Sequence, residues 1–184
     1  MVNMGERNPK IEHWPEEAIT ENEDRLLREV LSTCYQGPDD WMFPTRRYWQ
    51  EPPQHRWWMR GPTGAIISQI AVHDKVIGSP IGDLRIGGVG LVCTHPDHRR
   101  KGYVRLLLTE ALQWMKQQGM SFSLLFAAVD AYSSSGYIPI NNPFHQFDFR
   151  TRQWVTKLMP KAMAAPLAGI PWPEGEIDLR GMEF

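Results

Sequence analysis

Apolar residues recur at helical spacing in two places along the chain. Leu26, Leu27, Val30 and Leu31 form one stripe, led by acids, with Thr20 or Asn22 as cap and Gly37-Pro38 as stop. Val104, Leu107, Leu108, Ala111, Leu112 and Met115 form the second, entered from Gly102 and ended by Gly119. Between the stripes the pattern is that of strands. Residues 56–78 read as a hairpin around the turn Gly61-Pro62-Thr63-Gly64. Residues 83–96 read as a further strand with Gly87, Gly88 and Gly90 inside it. Interior glycines mark a bulge or a place where something approaches the backbone closely. Residues 121–129 alternate in part and predict another strand. Residues 130–137 predict one or two helical turns, capped by Asp130 and closed by Gly136, and residues 152–160 a late strand. Residues 1–20, polar and Pro-bearing, predict an irregular segment, and residues 160–184 a Pro-rich tail. Strand, helix and strand in succession near residues 90 to 124 require a parallel crossover, so the expected class is α/β, a mixed sheet flanked by helices.

The length of 184 residues suits a single domain with a core of its own. Net charge is −1, so the whole molecule exerts no pull on nucleic acid or on an anionic membrane surface, and basic residues act locally. Cys34 and Cys93 are too few and too far apart for a zinc knuckle or a disulfide framework, and two free thiols suit a reducing compartment. No charged-then-apolar leader and no apolar run of about 20 residues is present, which leads us to expect a soluble cytoplasmic protein with no membrane partner.

One local concentration of charge changes this picture. Between Val92 and Val104 stand His95, His98, Arg99, Arg100 and Lys101, followed by Gly102 and then the second helix. The first N–H groups of a helix lack partners and carry partial positive charge, so a strand-to-helix junction suits an anion. Gly102 lets a ligand approach the backbone, and the flanking cations add attraction. A diphosphate meets all these conditions.

The residues "HPDHRRKG" resemble the acyl-coenzyme A signature of the GNAT N-acetyltransferases, Arg/Gln-x-x-Gly-x-Gly/Ala after a strand. Arg99-x-x-Gly102 matches, while Val104 departs from the final small residue. "RRKGYVRLLL" is most similar to the corresponding loop of the Eis-type acetyltransferases. The resemblance covers roughly residues 55–140 and implies a single-domain GNAT-like fold over residues 1–184, a mixed sheet splayed to admit the pantetheine arm. It implies acetyl-CoA as cosubstrate, bound by the backbone of Val92, Cys93 and Thr94 and, at the pyrophosphate, by Arg99, Arg100, Lys101, Gly102, Tyr103 and Val104. Tyr132-Ser-Ser-Ser-Gly136-Tyr137 is similar to a second family pattern, whose tyrosine protonates the departing thiolate. A phenol near pKa 10 stays protonated at neutral pH and suits that task.

The family function is transfer of an acetyl group to a primary amine by direct attack. The acceptor is a small-molecule amine or a protein amine, and the Eis likeness suggests aminoglycosides or polyamines. An alkyl ammonium is neutral only about once in 2,500 at pH 7, so a base is needed. Many members carry a glutamate on the strand before the loop, yet residues 84–94 hold no carboxylate. Asp83, His73 and the terminal carboxylate of Phe184 are the candidates, the last because Eis-type enzymes use theirs, and the alternative is that no side chain serves and a water chain takes the proton. The missing strand carboxylate also supports an alternative, a non-catalytic acyl-CoA-binding module with a degenerate GNAT fold. Family members frequently form homodimers, and the tail after Pro160 is available for that. His95 and His98 lack the further ligands that a metal site needs, and the Cys93 side chain stands where the family uses backbone atoms. Trp41, Phe43, Tyr48, Trp49, Trp57 and Trp58 are expected to divide between core packing and an acceptor pocket. A nucleic-acid role for this aromatic and Arg-rich segment conflicts with the near-zero net charge.

Overall fold

The computed structural model describes residues 9–127 and 132–184. The elements in chain order are β1 (Ile11–Pro15), α1 (Glu21–Cys34), β2 (His55–Arg60), β3 (Ile66–Ile77), β4 (Leu84–Thr94), α2 (Tyr103–Gln117), β5 (Phe122–Phe126), β6 (Ile138–Pro139), β7 (Pro143–Asp148), β8 (Gln153–Leu158), β9 (Ala162–Pro166) and β10 (Ile177–Asp178). The main sheet has the order β1-β2-β3-β4-β5-β9-β6, and a smaller sheet has the order β10-β7-β8. β4 and β5 run parallel, with α2 as the crossover, as the sequence leads one to expect.

The alternation of β2 shows how the layers form. Trp57 and Met59 pack under α2, against Leu107, Leu108, Ala111 and Met115. Trp58, on the opposite face, packs with Leu26, Leu27, Val30 and Leu31 of α1. Successive strand residues point to opposite sides, so a strand covered on both faces reads as one apolar run. Full burial of a leucine such as Leu27 or Leu107 contributes roughly 2 kcal/mol. The hairpin turn is as expected, closed by Gly61 N–H to the Ala65 carbonyl at 2.9 Å, with Gly64 at φ 85°.

Two sequence expectations are corrected. Within the supposedly irregular first twenty residues, Ile11–Pro15 pairs antiparallel with β2, from Ile11 opposite Met59 to Pro15 opposite His55. A short edge strand with a proline carries too little alternation to be read alone. The tail after Pro160 is largely built in. Ala162–Pro166 lies in the main sheet between β5 and β6, and Ile177 and Leu179 are buried against Phe122 and Phe144. Asp130, the expected cap, lies outside the described residues; the turn that follows is a 3-10 turn at Ser133–Ser135, closed by Gly136 at φ 87°.

Strand β4 shapes the site. Among the described residues it pairs with β5 from Ile86 opposite Phe122 to Val89 opposite Leu125, and beyond that register Gly90, Cys93 and Thr94 pair with β3. The sheet therefore opens between β4 and β5. On the other side the register slips: Gly90 faces Ala71 and Cys93 faces Gln69, leaving Leu91 and Val92 opposite Ile70. Leu91 adopts φ 51°, a left-handed conformation rare for a side chain of its kind. The Gln69 amide donates to the Leu91 carbonyl and holds this bulge. Gln69 is in turn oriented by Arg56, whose Nη1 donates to Gln69 Oε1 at 3.2 Å and whose Nε donates to Glu16 Oε2 at 2.6 Å, all within the core.

Candidate active site

The basic loop follows the end of β4. A 3-10 turn at Pro96–His98 leads to Arg99, whose Nε donates to the Thr94 carbonyl at 3.2 Å. Arg100 (φ 62°) and Gly102 (φ 76°) are both left-handed, and that double turn aims the chain into α2. Gly102 is the N-cap residue, no side chain caps the helix, and its first turn holds no acid. The earliest helical bond is from Leu106 N–H to the Gly102 carbonyl at 3.2 Å, so the N–H groups of residues 102–105 have no acceptor within the helix. Arg99 and Lys101 stand beside them, and the whole feature lines a groove of about 450 Å³ that also takes in Cys34, Val92–Thr94 and Tyr132. This is an uncapped, cation-flanked helix start joined to a groove along the end of β4.

A second hollow, a cleft of about 540 Å³, lies on the other side of the β4 opening. Trp49, Phe147 and Phe149 supply apolar wall, while Glu51, Asp148 and Glu183 supply negative charge and Arg150 and Lys157 positive charge. The groove and the cleft share Tyr35, Val92 and Tyr132. Burial raises the Tyr132 phenol, reinforced by Cys93, and burial likewise raises Tyr35, so both stay protonated at neutral pH. The Tyr35 hydroxyl donates to the Val92 carbonyl at 2.9 Å, which fixes the shared wall.

The last residue enters this junction. A methyl group at Gly88 would lie 2.5 Å from the Phe184 ring, and one at Gly90 would lie 2.9 Å from the Phe184 carboxyl carbon. The ring stacks on His73 at 5.5 Å between centroids and meets Phe126 at 5.4 Å. What the β4 glycines admit is therefore the chain's own end, with Gly87 making room for Met115. Lys75 Nζ, over the same ring at 5.9 Å, donates to the Met182 carbonyl at 3.3 Å and tethers the segment.

A family model described as an acetyltransferase (GNAT) domain matches residues 17–140. The chain belongs to the GNAT acetyltransferases. Its fold is that of other GNAT structures. YhbS from Escherichia coli, solved in complex with CoA, aligns at TM-score 0.69 and 12% identity over 96% of this chain and 93% of that one. A GNAT acetyltransferase from Brucella melitensis, in complex with acetyl-CoA, aligns at TM-score 0.62 and 13% identity over 92% and 96%. Eis1 from Mycobacterium abscessus aligns at TM-score 0.56 and 16% identity over 72% of this chain but only 32% of its own. No curated protein matches.

Within this GNAT fold, Val92, Cys93, Thr94 and residues 99–104 all line the groove, and Tyr132 and Phe184 meet the cleft. The Val92 and Cys93 carbonyls already accept from Tyr35 and from Ser68 Oγ. His73 does not suit the role of base: burial, with Lys75 and Arg56 nearby, lowers it to about 3. Asp83 is an exposed turn residue paired with Arg180, remote from both hollows. Among the described residues no cluster suited to a metal exists, and His95 and His98 merely approach each other at 5.8 Å. Of the six aromatics proposed for the acceptor pocket, Trp49 alone lines the cleft. Phe43, Trp57 and Trp58 are core, Trp41 is 76% exposed, and Tyr48 lies beneath Arg46. Among the described residues no helix is long and apolar enough to cross a membrane.

Sequence reasoning missed Tyr35, Gln69 and Glu183. Tyr35 follows the helix stripe and reads as its end. Gln69 is a polar residue inside an otherwise buried strand, a signal available in the sequence, since a buried amide needs partners. The Glu183 carboxyl is raised by desolvation between the cleft walls, against the pull of Lys157 and Arg150.

Proposed function

We propose that this GNAT acetyltransferase transfers an acetyl group from acetyl-CoA to a primary amine, both bound at once. The observation that carries the reading is the meeting of the anion-binding groove and the cleft at Tyr35, Val92 and Tyr132, with the Phe184 carboxyl group beside Gly90. The coenzyme fits on physical grounds. A diphosphate answers the unpaired N–H groups at the start of α2, and a pantetheine arm answers the strand edge left open where β4 and β5 separate. When bound, acetyl-CoA supplies a thioester whose carbonyl carbon accepts the amine.

The chain's residues then have three tasks. Arg99, Arg100, Lys101 and the N–H groups of residues 102–104 hold the pyrophosphate, and Val92–Thr94 orient the arm. Tyr132, raised and protonated, delivers a proton to the departing sulfur. The Phe184 carboxylate takes the proton from the attacking nitrogen, because β4 offers no acid and His73 is too weak a base. The acceptor is an amine with an apolar body against Trp49, Phe147 and Phe149 and a cationic end near Glu51 and Glu183.

The test is coenzyme A release across an amine panel, combined with calorimetric binding of acetyl-CoA. Tyr132→Phe is expected to slow turnover about a hundredfold with coenzyme affinity retained. A chain extended by one glycine after Phe184, which moves the carboxylate, is expected to lose turnover and keep binding. Coenzyme binding with no release for any amine would favour the non-catalytic acyl-CoA-binding module; no binding at all would overturn both.

A further inference from the structure

Two sulfur atoms line or adjoin the proposed coenzyme groove, and neither has a task in acetyl transfer. Cys34 ends α1 and is half-buried, while Cys93 stands near the end of β4 and is 6% exposed. They come together because the Tyr35 hydroxyl pins the end of α1 to the Val92 carbonyl at 2.9 Å. Cys34 packs against the buried cluster that holds Cys93, and both line the groove, with the Arg99 guanidinium acting on Cys34 and Gln69 Nε2 lying 3.9 Å from Cys93 Sγ. The two thiols are therefore unequal. Contact with the Cys93 sulfhydryl, then the charge of Arg99, lowers Cys34 against the effect of its partial burial. Contact with Cys34 and deep burial raise Cys93. One thiol is accessible and ionisable; the other waits behind it, protonated.

We propose that Cys34 and Cys93 form a thiol–disulfide exchange site in the groove wall, and that their oxidation by a low-molecular-weight disulfide weakens coenzyme binding. The coupling half of this inference rests on the groove being the coenzyme site. In the first step the Cys34 thiolate attacks one sulfur of the small disulfide, forming a mixed disulfide and expelling a thiolate, which takes a proton from water. In the second step the Cys93 thiol gives its proton to solvent and its sulfur attacks Cys34 Sγ, expelling the second small thiol. Two protein thiols are oxidised and one small disulfide is reduced to two thiols. The bridge requires the two Cβ atoms to stand about 4 Å apart, which draws the end of α1 and the Val92–Thr94 segment onto each other. Those same residues border the slot for the pantetheine arm.

The reduced full-length protein, incubated with glutathione disulfide, is expected to lose both free thiols without gaining mass from glutathione. Cys93→Ser is expected to hold one glutathione on Cys34, and Cys34→Ser to remain reduced. Wild-type protein that keeps both thiols, or that stops at a mixed disulfide, would overturn the exchange site. Acetyl-CoA titrated into reduced and oxidised protein is expected to bind about tenfold more weakly to the oxidised form, and by linkage to oppose oxidation by the same factor. Equal affinity would overturn the coupling. Reduced protein that binds no acetyl-CoA would instead overturn the groove assignment, and the thiol count would still decide the exchange site.

Discussion

The two helices begin in opposite ways. At the start of α1, the Thr20 hydroxyl accepts from the Glu23 N–H and donates to the Glu23 carboxylate, with Glu21 and Asp24 adding negative charge. Arg47 and Arg28 then pair with Asp24 at 2.7 and 2.8 Å. The chain itself satisfies that helix end. At the start of α2 there is no side-chain cap and no acid, a left-handed glycine gives entry, and cations flank it. One terminus is closed by its own sequence and the other is left uncapped, the end at which we propose a diphosphate binds. A helix end is informative about binding when the usual means of satisfying it have been withheld.

The largest effect is expected from closing the open end. Val104→Asp places a carboxylate in the first turn of α2, where it competes with a diphosphate. Because opposed like charges cost several kcal/mol, acetyl-CoA affinity is expected to fall about a hundredfold in calorimetry, with Val104→Asn, of like size and no charge, as the control for lost packing. Unchanged affinity would break the comparison. The converse substitution opens the closed end. Thr20→Ala is expected to cost about 1 kcal/mol in denaturant unfolding while leaving coenzyme affinity as it was. The smallest effect concerns acid. Burial raises the Asp24 carboxyl, but hydrogen bonds from Arg47 and Arg28 outweigh it and hold the group below its ordinary 3.8. Asp24 therefore contributes stability above pH 3.8, and that contribution is lost as pH falls through its lower folded value. Asp24→Asn is expected to flatten the acid limb of a stability-versus-pH curve. No such term arises at the start of α2, whose first turn holds nothing that titrates there.

Sequence made some of this visible and hid the rest for definable reasons. Both long helices, the hairpin, the parallel crossover and the place of the basic loop between strand and helix could be read because each rests on local periodicity or on one junction. β1 and β9 could not, since Ile11–Pro15 and Ala162–Pro166 are strands only by virtue of the partners they pair with. The glycines of β4 announced a close approach without naming the visitor, which is Phe184 arriving from the far end of the chain. Whether Trp57 and Trp58 were core or pocket could not be read, because neighbouring tryptophans carry no sign of what will cover each face. The cleft's apolar wall, Phe147 and Phe149, lay in a segment where no element was expected, so its aromatics went unweighed.

The strained turn at Leu91 is held by an amide, which is aligned by a guanidinium, which is neutralised by Glu16. Random mutagenesis scored by lost acetylation is therefore expected to return hits at Glu16 and Arg56. A geneticist mapping those hits by sequence alone would assign to catalysis residues that line neither the groove nor the cleft.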